Sequence, residues 1–245
     1  MRLNRYLALH LGIGRRKADE LIRQGYVTID ERPAELGTQV EPGQVVAVSG
    51  KIIASNAPKP ILVMLHKPVG VVSSRDGQGS PSVYSLLPDN LQHLKIAGRL
   101  DKHSSGLLLL SSSGMVVQQT THPSQKLYKQ YYVRLQKPLA VEDFQKITGS
   151  GVSIDANRPS SFALYAGHKS DLIKKESLPK SIYAPQQIDW TCILQEGRNR
   201  QIRKTFEALH YSVVRLHRVS IGRYTLGSLK PGAHRVIQAD TPKNP

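Results

Sequence analysis

Hydrophobic residues in the first fifty positions follow first a helical and then an extended pattern. Leucines recur every four residues between positions 3 and 11, which predicts one helix, and a second helix is predicted from Arg15 to Gly25. The segment YVTID then alternates as a strand does, DERP indicates a turn, and VVAV at 45–48 predicts a last strand. Together these elements predict a small helix-helix-hairpin domain at residues 1–50.

A larger domain is predicted after a short linker. Residues 51–60 combine small residues with two prolines, which is typical of a linker. ILVMLH at 61–66 predicts a strand buried on both faces. Further strands are predicted at 106–111, 131–135 and 188–194, and helices at 115–122 and 141–148. This mixture predicts an α+β fold with the larger domain at 61–240 and a tail at 241–245.

Charge is the strongest signal in the composition. The formal net charge of +16 favours a polyanionic partner, because neutralised phosphates release counterions, although a merely soluble basic protein fits the charge too. Residues 1–50 carry a balance of +1 and the rest of the chain carries +15, so most phosphate-binding capacity belongs to the larger domain. In the small domain, four cations in or beside the second helix are candidate phosphate contacts: Arg15, Arg16, Lys17 and Arg23.

The cysteine count and the lack of apolar segments narrow the class of protein. Cys192 is the only cysteine, which excludes an intrachain disulfide and argues against a thiolate zinc site. Its alternating strand, IDWTCIL, predicts a buried and unreactive thiol. The first twenty residues do not have the pattern of a signal peptide, and no stretch approaches a membrane span. We therefore expect a cytoplasmic protein with no membrane partner and no metal.

One carboxylate lies in a setting suited to catalysis. In GRLDKHSSGLLLLSSSG (98–114), Asp101 lies in a loop rich in glycine and serine, directly before a very apolar strand, and Arg99 and Lys102 flank it. An aspartate near both a core and cations stays ionised yet poorly solvated, as a nucleophile or base requires. On this segment alone, the simpler alternative of a turn aspartate bonded to its own backbone is favoured.

Other segments combine cations with aromatic residues. Lys67 in KPVGVVSS follows the first buried strand and is a candidate phosphate contact, although an ordinary turn explains the segment equally well. In YKQYYVRL, strand alternation places Tyr131 and Tyr132 on opposite faces, so only one of them can stack on a base in a given site. EGRNRQIRKTFEALH gathers Arg198, Arg200 and Arg203 around the start of a helix, which predicts either a phosphate site or a solvated basic face.

The order of these motifs is more specific than any one of them. Between about residues 61 and 225, the sequence KPxG, GRLDxxSSGLLLL, KxYxV, EGRNRQIR and LxRxxIG resembles the RsuA-like branch of the bacterial ribosomal RNA pseudouridine synthases. The N-terminal RRKADELIRQGYVTID resembles the small RNA-binding domain named after the fourth small-subunit ribosomal protein. The resemblance implies that the larger domain is a mixed, mostly antiparallel sheet with the active cleft across one face.

Residue by residue, the resemblance also implies roles in the site. Asp101 becomes the catalytic aspartate, Tyr131 the residue that stacks on the target uracil, and Arg203 the ion-pair partner of Asp101. The resemblance implies no cofactor, a monomer, and ribosomal RNA or a ribosomal subunit precursor as the partner. Five further residues are predicted to bind the substrate: Arg99, Leu216, Lys67, Arg198 and Arg200.

The implied reaction begins with a uridine that flips out of its RNA stack. Asp101 then attacks the ribose or abstracts a proton from it, and the detached uracil turns and re-forms its bond through ring carbon five. Two alternatives remain open: a non-catalytic RNA-binding or ribosome-assembly protein, and an RNA hydrolase that uses Asp101 with His103. The lysine-rich stretch 168–181 is predicted to be an exposed loop and looks longer than usual for the family.

Overall fold

The computed structural model of the 245-residue chain forms two compact units. The smaller is built mainly from Met1–Leu62, and the larger comprises Val63–Leu110 and Val117–Ile237. Within the described residues, no helix has both the length and the apolar character needed to cross a membrane. The structure describes residues 1–41, 43–53, 60–156, 158–170, 172 and 178–238.

The smaller unit packs two helices on a four-stranded sheet. Its core side chains come from the apolar face of each helix and from the first and third strands. Both predicted helices are present, and Gly25 takes a φ of +75° just after the second. The elements are α1 (Leu3–His10), α2 (Arg15–Arg23), β1 (Val27–Ile29), β2 (Arg32–Pro33), β3 (Val46–Val48) and β4 (Lys51–Ile52), with the strands ordered β2-β1-β3-β4.

Two corrections apply to this unit, and both come from two-residue turns. Asp30 and Glu31 have positive φ values, so the chain reverses at once and β2 pairs with β1 inside the predicted DERP turn. Ser49 and Gly50 repeat this geometry and return the chain onto β3, so β4 lies within the predicted linker 51–60. Residues 54–59 of that linker, and the predicted tail 241–245, lie outside the described residues.

The described part of the larger unit is built on a nine-stranded sheet ordered β13-β5-β7-β11-β8-β10-β9, with β6 beside β7 and β12 beside β11. Helices α3, α4 and α5 follow strands β7, β8 and β10 in the chain. The strands are β5 (Ile61–Lys67), β6 (Lys95–Ala97), β7 (Ser105–Ser111), β8 (Lys129–Leu135), β9 (Ala163–Ala166), β10 (Asp189–Leu194), β11 (Val213–Ile221), β12 (Tyr224–Thr225) and β13 (His234–Gln238). The helices are α3 (Gly114–Thr121), α4 (Val141–Thr148) and α5 (Gln201–Glu207).

Strand pairing confirms the predicted α+β class with a mixed, mostly antiparallel sheet. β8 pairs antiparallel with both β10 and β11, and β10 pairs antiparallel with β9, whereas β11 and β7 are parallel. The central strand β11 was not predicted, because VVRLHRVSI interleaves arginines and a histidine with its apolar residues. It is nevertheless a strand, since neighbours on both sides pair with its backbone, and its polar residues His217, Arg218 and Ser220 are buried.

A smaller core cluster with Ile193 lies on one face of β10, and the larger cluster lies on the other face. Trp190 and Cys192 of β10 are fully buried, together with Phe206 of α5. The Cys192 thiol is buried as predicted, and burial raises its pKa well above its ordinary value. The same cluster includes Tyr131 and Leu216, so the residues at its edge are held by packing.

Candidate active site

The neighbouring strands β7, β11 and β8 bring three of the sequence motifs together. Arg218 of β11 lies opposite Tyr131 of β8 on one side and Gly106 of β7 on the other. Gly106 has a φ of +113°, and a Cβ atom there would lie 2.2 Å from the Arg218 carbonyl oxygen. Only glycine permits this approach, which explains the glycine of the SSG segment. The strand that follows the GRLD loop therefore packs closely against β11 in the interior of the sheet.

A cleft of about 740 Å³ opens beside these strands. This volume lies in the range of sites that hold small organic groups. Six of the predicted site residues line it, contributed by the GRLD loop, β8, β11 and the EGRNRQIR segment: Arg99, Asp101, Tyr131, Arg198, Arg200 and Leu216.

Asp101 contributes a carboxylate that ion pairs orient. Its Oδ2 atom lies 3.7 Å from Nη1 of Arg200 and 3.9 Å from Nε of Arg203. Both distances exceed hydrogen-bond length, so the carboxylate keeps lone pairs that can meet a substrate. Within the described residues, no side-chain hydrogen bond ties this carboxylate to its own turn, so the geometry does not favour the simpler turn interpretation.

Arg203 connects α5 to the loop that carries Asp101. Its Nη2 atom donates to the His103 carbonyl oxygen at 2.7 Å, and its Nη1 atom donates to the Val213 carbonyl oxygen at 2.9 Å. Burial lowers the pKa of Arg203, and the charge of Asp101 opposes that shift. The predicted partner of Asp101 therefore also holds the loop by one hydrogen bond to its backbone and links it to β11 by another.

The two tyrosines of β8 lie on opposite faces, as strand alternation predicts. Tyr131 is buried on the cleft face, where its hydroxyl accepts a hydrogen bond from Nη1 of Arg218 at 3.4 Å. Tyr132 lies on the other face, stacked on His168 with ring centroids 4.2 Å apart. Leu216 precedes Arg218 by two residues on β11, so it shares the cleft face with Tyr131.

The cations at the rim of the cleft differ in how strongly other residues hold them in place. Arg198 donates to the Arg158 carbonyl oxygen at 2.8 Å and pairs with Asp155 and Glu196, so it organises the rim as well as lining it. Arg200 is 45% exposed, and its backbone is left-handed with a φ of 53°. Exposed rim cations of this kind suit the phosphates of a nucleic acid.

Lys67 does not occupy the position that the sequence predicted. Its side chain is fully buried, and its ammonium group donates to the carbonyl oxygens of Pro68 at 2.8 Å and Ser104 at 2.7 Å. Burial lowers its pKa to about 8, while the charge of Asp101 acts in the opposite direction. The ammonium lies beneath the Asp101 loop rather than in the cleft wall, which does not fit a direct contact with substrate. Its two carbonyl partners explain why it points inward.

The site residues predicted from the sequence did not include Arg218. It is 3% exposed and lines the cleft beside Tyr131. The arginine of the LxRxxIG motif was the available signal, but the direction of its side chain depends on the register of β11.

In the smaller unit, the four predicted RNA contacts are exposed on α2: Arg15, Arg16, Lys17 and Arg23. Lys17 also pairs with Glu20 at 2.9 Å.

Comparisons with known proteins identify the family. A family model described as RNA pseudouridylate synthase matches residues 61–208, and a model of the S4 domain matches residues 1–46. The chain belongs to the RNA pseudouridylate synthase family. The family and the enzyme class predicted from the order of the motifs are therefore confirmed, together with an N-terminal domain of the S4 type.

Relatives of this synthase match nearly the whole chain. The ribosomal small subunit pseudouridine synthase A of Vibrio cholerae is 30% identical over 97% of this chain and 96% of that protein. The dual-specificity RNA pseudouridine synthase RluF of Escherichia coli K12 is 32% identical over 98% of this chain and 76% of that protein. A crystal structure of a pseudouridylate synthase covers 97% of this chain and 96% of its own, with a TM-score of 0.63 and 26% identity.

The described residues contain no metal-binding group of three or more histidine, cysteine, aspartate or glutamate side chains. The groups that line the cleft include the Asp101 carboxylate, the Tyr131 ring, the Leu216 side chain and several cations.

Proposed function

We propose that this synthase isomerises a specific uridine of ribosomal RNA, with Asp101 as the catalytic carboxylate. The observation that carries the proposal is the convergence of Asp101 and Tyr131 at one cleft, with Arg203 paired to Asp101. The names of the relatives support ribosomal RNA as the substrate class, either free or in a subunit precursor. We propose that the enzyme acts as a monomer in the cytoplasm.

RNA binding begins at the rim and ends in the depth of the cleft. Exposed Arg200 and neighbouring Arg99 suit the phosphates of the backbone, and binding there releases counterions. The target uridine leaves its stack, because the atoms of its glycosidic bond are not accessible within a folded helix. Tyr131 offers the flipped base an aromatic surface, and Leu216 offers an apolar wall.

The reaction exchanges one bond of the same base for another. Asp101 either forms a bond to ribose C1′ or takes the C2′ proton, and in both routes the C1′–N1 bond breaks with its electron pair left on N1. The uracil leaves as an anion and turns within the cleft. C5 then bonds to C1′ as the bond to Asp101 breaks or the C2′ proton returns. The C5 proton is released, N1 gains a proton, and the net change is an isomerisation without cofactor or oxidant.

The S4 domain extends the contact surface for RNA in this proposal. The four exposed cations of α2 lie within about three helical turns, so they suit consecutive phosphates of one RNA segment. Their contribution is to affinity and to the choice of uridine, while the chemistry belongs to the larger unit.

Tritium release tests the proposal. Transcripts of small-subunit ribosomal RNA, large-subunit ribosomal RNA and transfer RNA are made with uridine labelled at C5, because that hydrogen is released when C5 bonds to C1′. We expect the wild-type protein to release tritium from a ribosomal transcript and Asp101→Asn to release none. Release from transfer RNA alone would overturn the substrate class. Release by Asp101→Asn would overturn the role of Asp101, and binding without release would favour the assembly-protein alternative.

A further inference from the structure

Arg218 is held by the protein on one side of its guanidinium group. Its Nε atom donates to the Leu107 carbonyl oxygen at 2.8 Å, and its Nη1 atom lies 3.4 Å from both the Arg99 carbonyl oxygen and the Tyr131 hydroxyl. The close approach at Gly106 fixes the backbone of Arg218 as well. The position of this arginine is therefore determined before any ligand arrives.

The other side of the guanidinium group has no protein partner. Nη2 of Arg218 is buried without a hydrogen bond, and no ion pair joins this arginine to a carboxylate anywhere in the described ranges. A buried cation without a counter-charge is costly, and an unused donor adds to that cost. This arrangement is favourable only when a ligand supplies an oxygen with negative charge.

Neighbouring cations increase the positive potential at the same place. The pKa of Lys67 and the pKa of Lys129 are both lowered, first by burial and in part by the charge of Arg218. Lys129 and Arg218 both line the cleft, and Lys67 lies beneath the Asp101 loop. A negative charge that forms at the floor of the cleft is therefore favoured electrostatically.

Depth determines which part of the RNA reaches Arg218. The rim cation Arg200 is exposed and suits the backbone, whereas Arg218 is 3% exposed and lies beside Tyr131. The flipped base is the part of a nucleotide that enters most deeply. We propose that Arg218 donates a hydrogen bond from Nη2 to a carbonyl oxygen of the flipped uracil and stabilises the negative charge of the detached base.

This inference rests on the proposed function and adds a specific consequence for the rate. Uracil carries its full negative charge only after the C1′–N1 bond has broken, so Arg218 interacts more strongly with the transition state than with bound uridine. Interactions of this kind raise the rate of the chemical step and leave ground-state binding nearly unchanged. The S4 domain and the rim cations contribute instead to binding.

Single-turnover kinetics with two bases test the inference. The ribosomal transcript that the wild-type enzyme modifies is prepared with uridine or with 5-fluorouridine, whose fluorine stabilises the anion of the base. Loss of the C1′–N1 bond is the event measured for both, because C5 of 5-fluorouridine has no hydrogen to release. We expect Arg218→Gln to slow conversion of uridine about 100- to 1000-fold, with RNA affinity within about threefold of wild type. On 5-fluorouridine, Arg218→Gln should lower the rate only about tenfold or less, because the fluorinated base anion requires less stabilisation by the protein.

Two further variants keep the test decisive. Arg218→Lys keeps the charge and should react at least about tenfold faster than Arg218→Gln. If Arg218→Gln fails to fold by thermal unfolding, the rates of Arg218→Lys on the two bases provide the same comparison. Arg134→Gln is the matched control, because Arg134 lies on the opposite face of the sheet and is half exposed, and its rate should equal that of wild type.

Equal reductions on uridine and 5-fluorouridine would overturn the inference, and so would weakened RNA binding with an unchanged rate. Those outcomes differ from a failure of the proposed function, which would appear as a wild-type enzyme that converts no ribosomal transcript.

Discussion

Tyr131 and Tyr132 are adjacent on β8, but the charges around them are balanced in different ways. On the face of Tyr132, Arg134 forms two hydrogen bonds of 2.8 Å with Asp189, and His168 stacks on the tyrosine. On the face of Tyr131, Arg218 has a donor without a protein partner. The first face is a satisfied surface network, whereas the second is arranged to receive a ligand. Preorganised but unsatisfied donors are typical of sites that stabilise charge during a reaction.

The largest difference is expected between the two aspartates. Asp101→Asn should reduce pseudouridine formation by at least about 10⁴-fold, because it removes the ionised oxygen without a change of shape. Asp189→Asn, the matched control on the other face, should stay within about threefold of wild type, since its exposed ion pair contributes little. Both are measured by tritium release at saturating RNA. An active Asp101→Asn or an inactive Asp189→Asn would reverse the assignment of the two faces.

The two regions should gain stability with rising pH in different pH windows. The native pKa of Lys67 is about 8, below its ordinary 10.5, so the unfolded chain binds the extra proton between these values and stability rises with pH across that window. Relative to Lys67→Met, the wild type should gain up to about 3 kcal/mol of unfolding free energy between about pH 7 and pH 10. Urea unfolding at both pH values measures the difference.

The pair of Arg134 and Asp189 should lose stability only in acid, below the window of Lys67. The hydrogen bonds from Arg134 lower the pKa of Asp189 below its ordinary 3.8, so its contribution is present above that value and disappears as the pH falls further. The contradicting result for Lys67 would be equal changes in unfolding free energy for Lys67→Met and the wild type between about pH 7 and pH 10. Burial would then not destabilise the charged form of Lys67.

The tyrosines provide a comparison of intermediate size. Tyr131→Ala should lower the rate about tenfold to a hundredfold, which corresponds to the stacking energy of one base. Tyr132→Ala should change the rate by less than about threefold, because its ring stacks on His168 away from the cleft. Tyr131→Phe keeps the ring but removes the hydroxyl that Arg218 contacts, so it isolates that interaction. The same kinetic assay compares the rates of all three variants. A slow Tyr132→Ala together with a Tyr131→Ala that reacts at the wild-type rate would show that Tyr132, and not Tyr131, faces the substrate.

The smallest effect is expected from the S4 domain. Replacement of its four α2 cations by glutamine should leave the rate at saturating RNA unchanged and weaken binding. The salt dependence of the binding constant should become shallower by about 0.7–0.9 for each phosphate that the variant no longer neutralises. The cations are Arg15, Arg16, Lys17 and Arg23. Titrations at several salt concentrations measure the slope, and an unchanged slope with unchanged site choice would show that α2 does not contact the RNA.

Local patterns predicted the parts of this molecule that depend on near neighbours. Strand alternation separated Tyr131 from Tyr132, and the apolar face of IDWTCIL indicated that Cys192 is buried. The position of Asp101 before a core strand marked the candidate catalytic loop, and the order of the motifs supplied the family. Each of these predictions depends on a few consecutive residues or on the order of motifs along the chain. None of them requires the strand pairing to be known.

Features that depend on long-range pairing were missed. Lys67 was expected at the substrate, but Ser104, distant in the chain, supplies the carbonyl that turns its ammonium inward. Arg218 reaches the cleft only because β11 pairs with β8 on one side and approaches Gly106 on the other. β4 was missed for a local reason. Ser49 has a positive φ in the tight turn before β4, and serine is not a residue that indicates such a turn in the sequence.

Mapping of pseudouridine in ribosomal RNA at single-nucleotide resolution tests the central claim most directly. RNA is compared from cells that lack the protein and from the same cells that produce the wild type, Asp101→Asn or Asp189→Asn. We predict that a specific uridine is modified with the wild type and with Asp189→Asn, and remains unmodified with Asp101→Asn and without the protein. The account would be contradicted if cells that produce only Asp101→Asn had the same pseudouridines in ribosomal RNA as cells that produce the wild type.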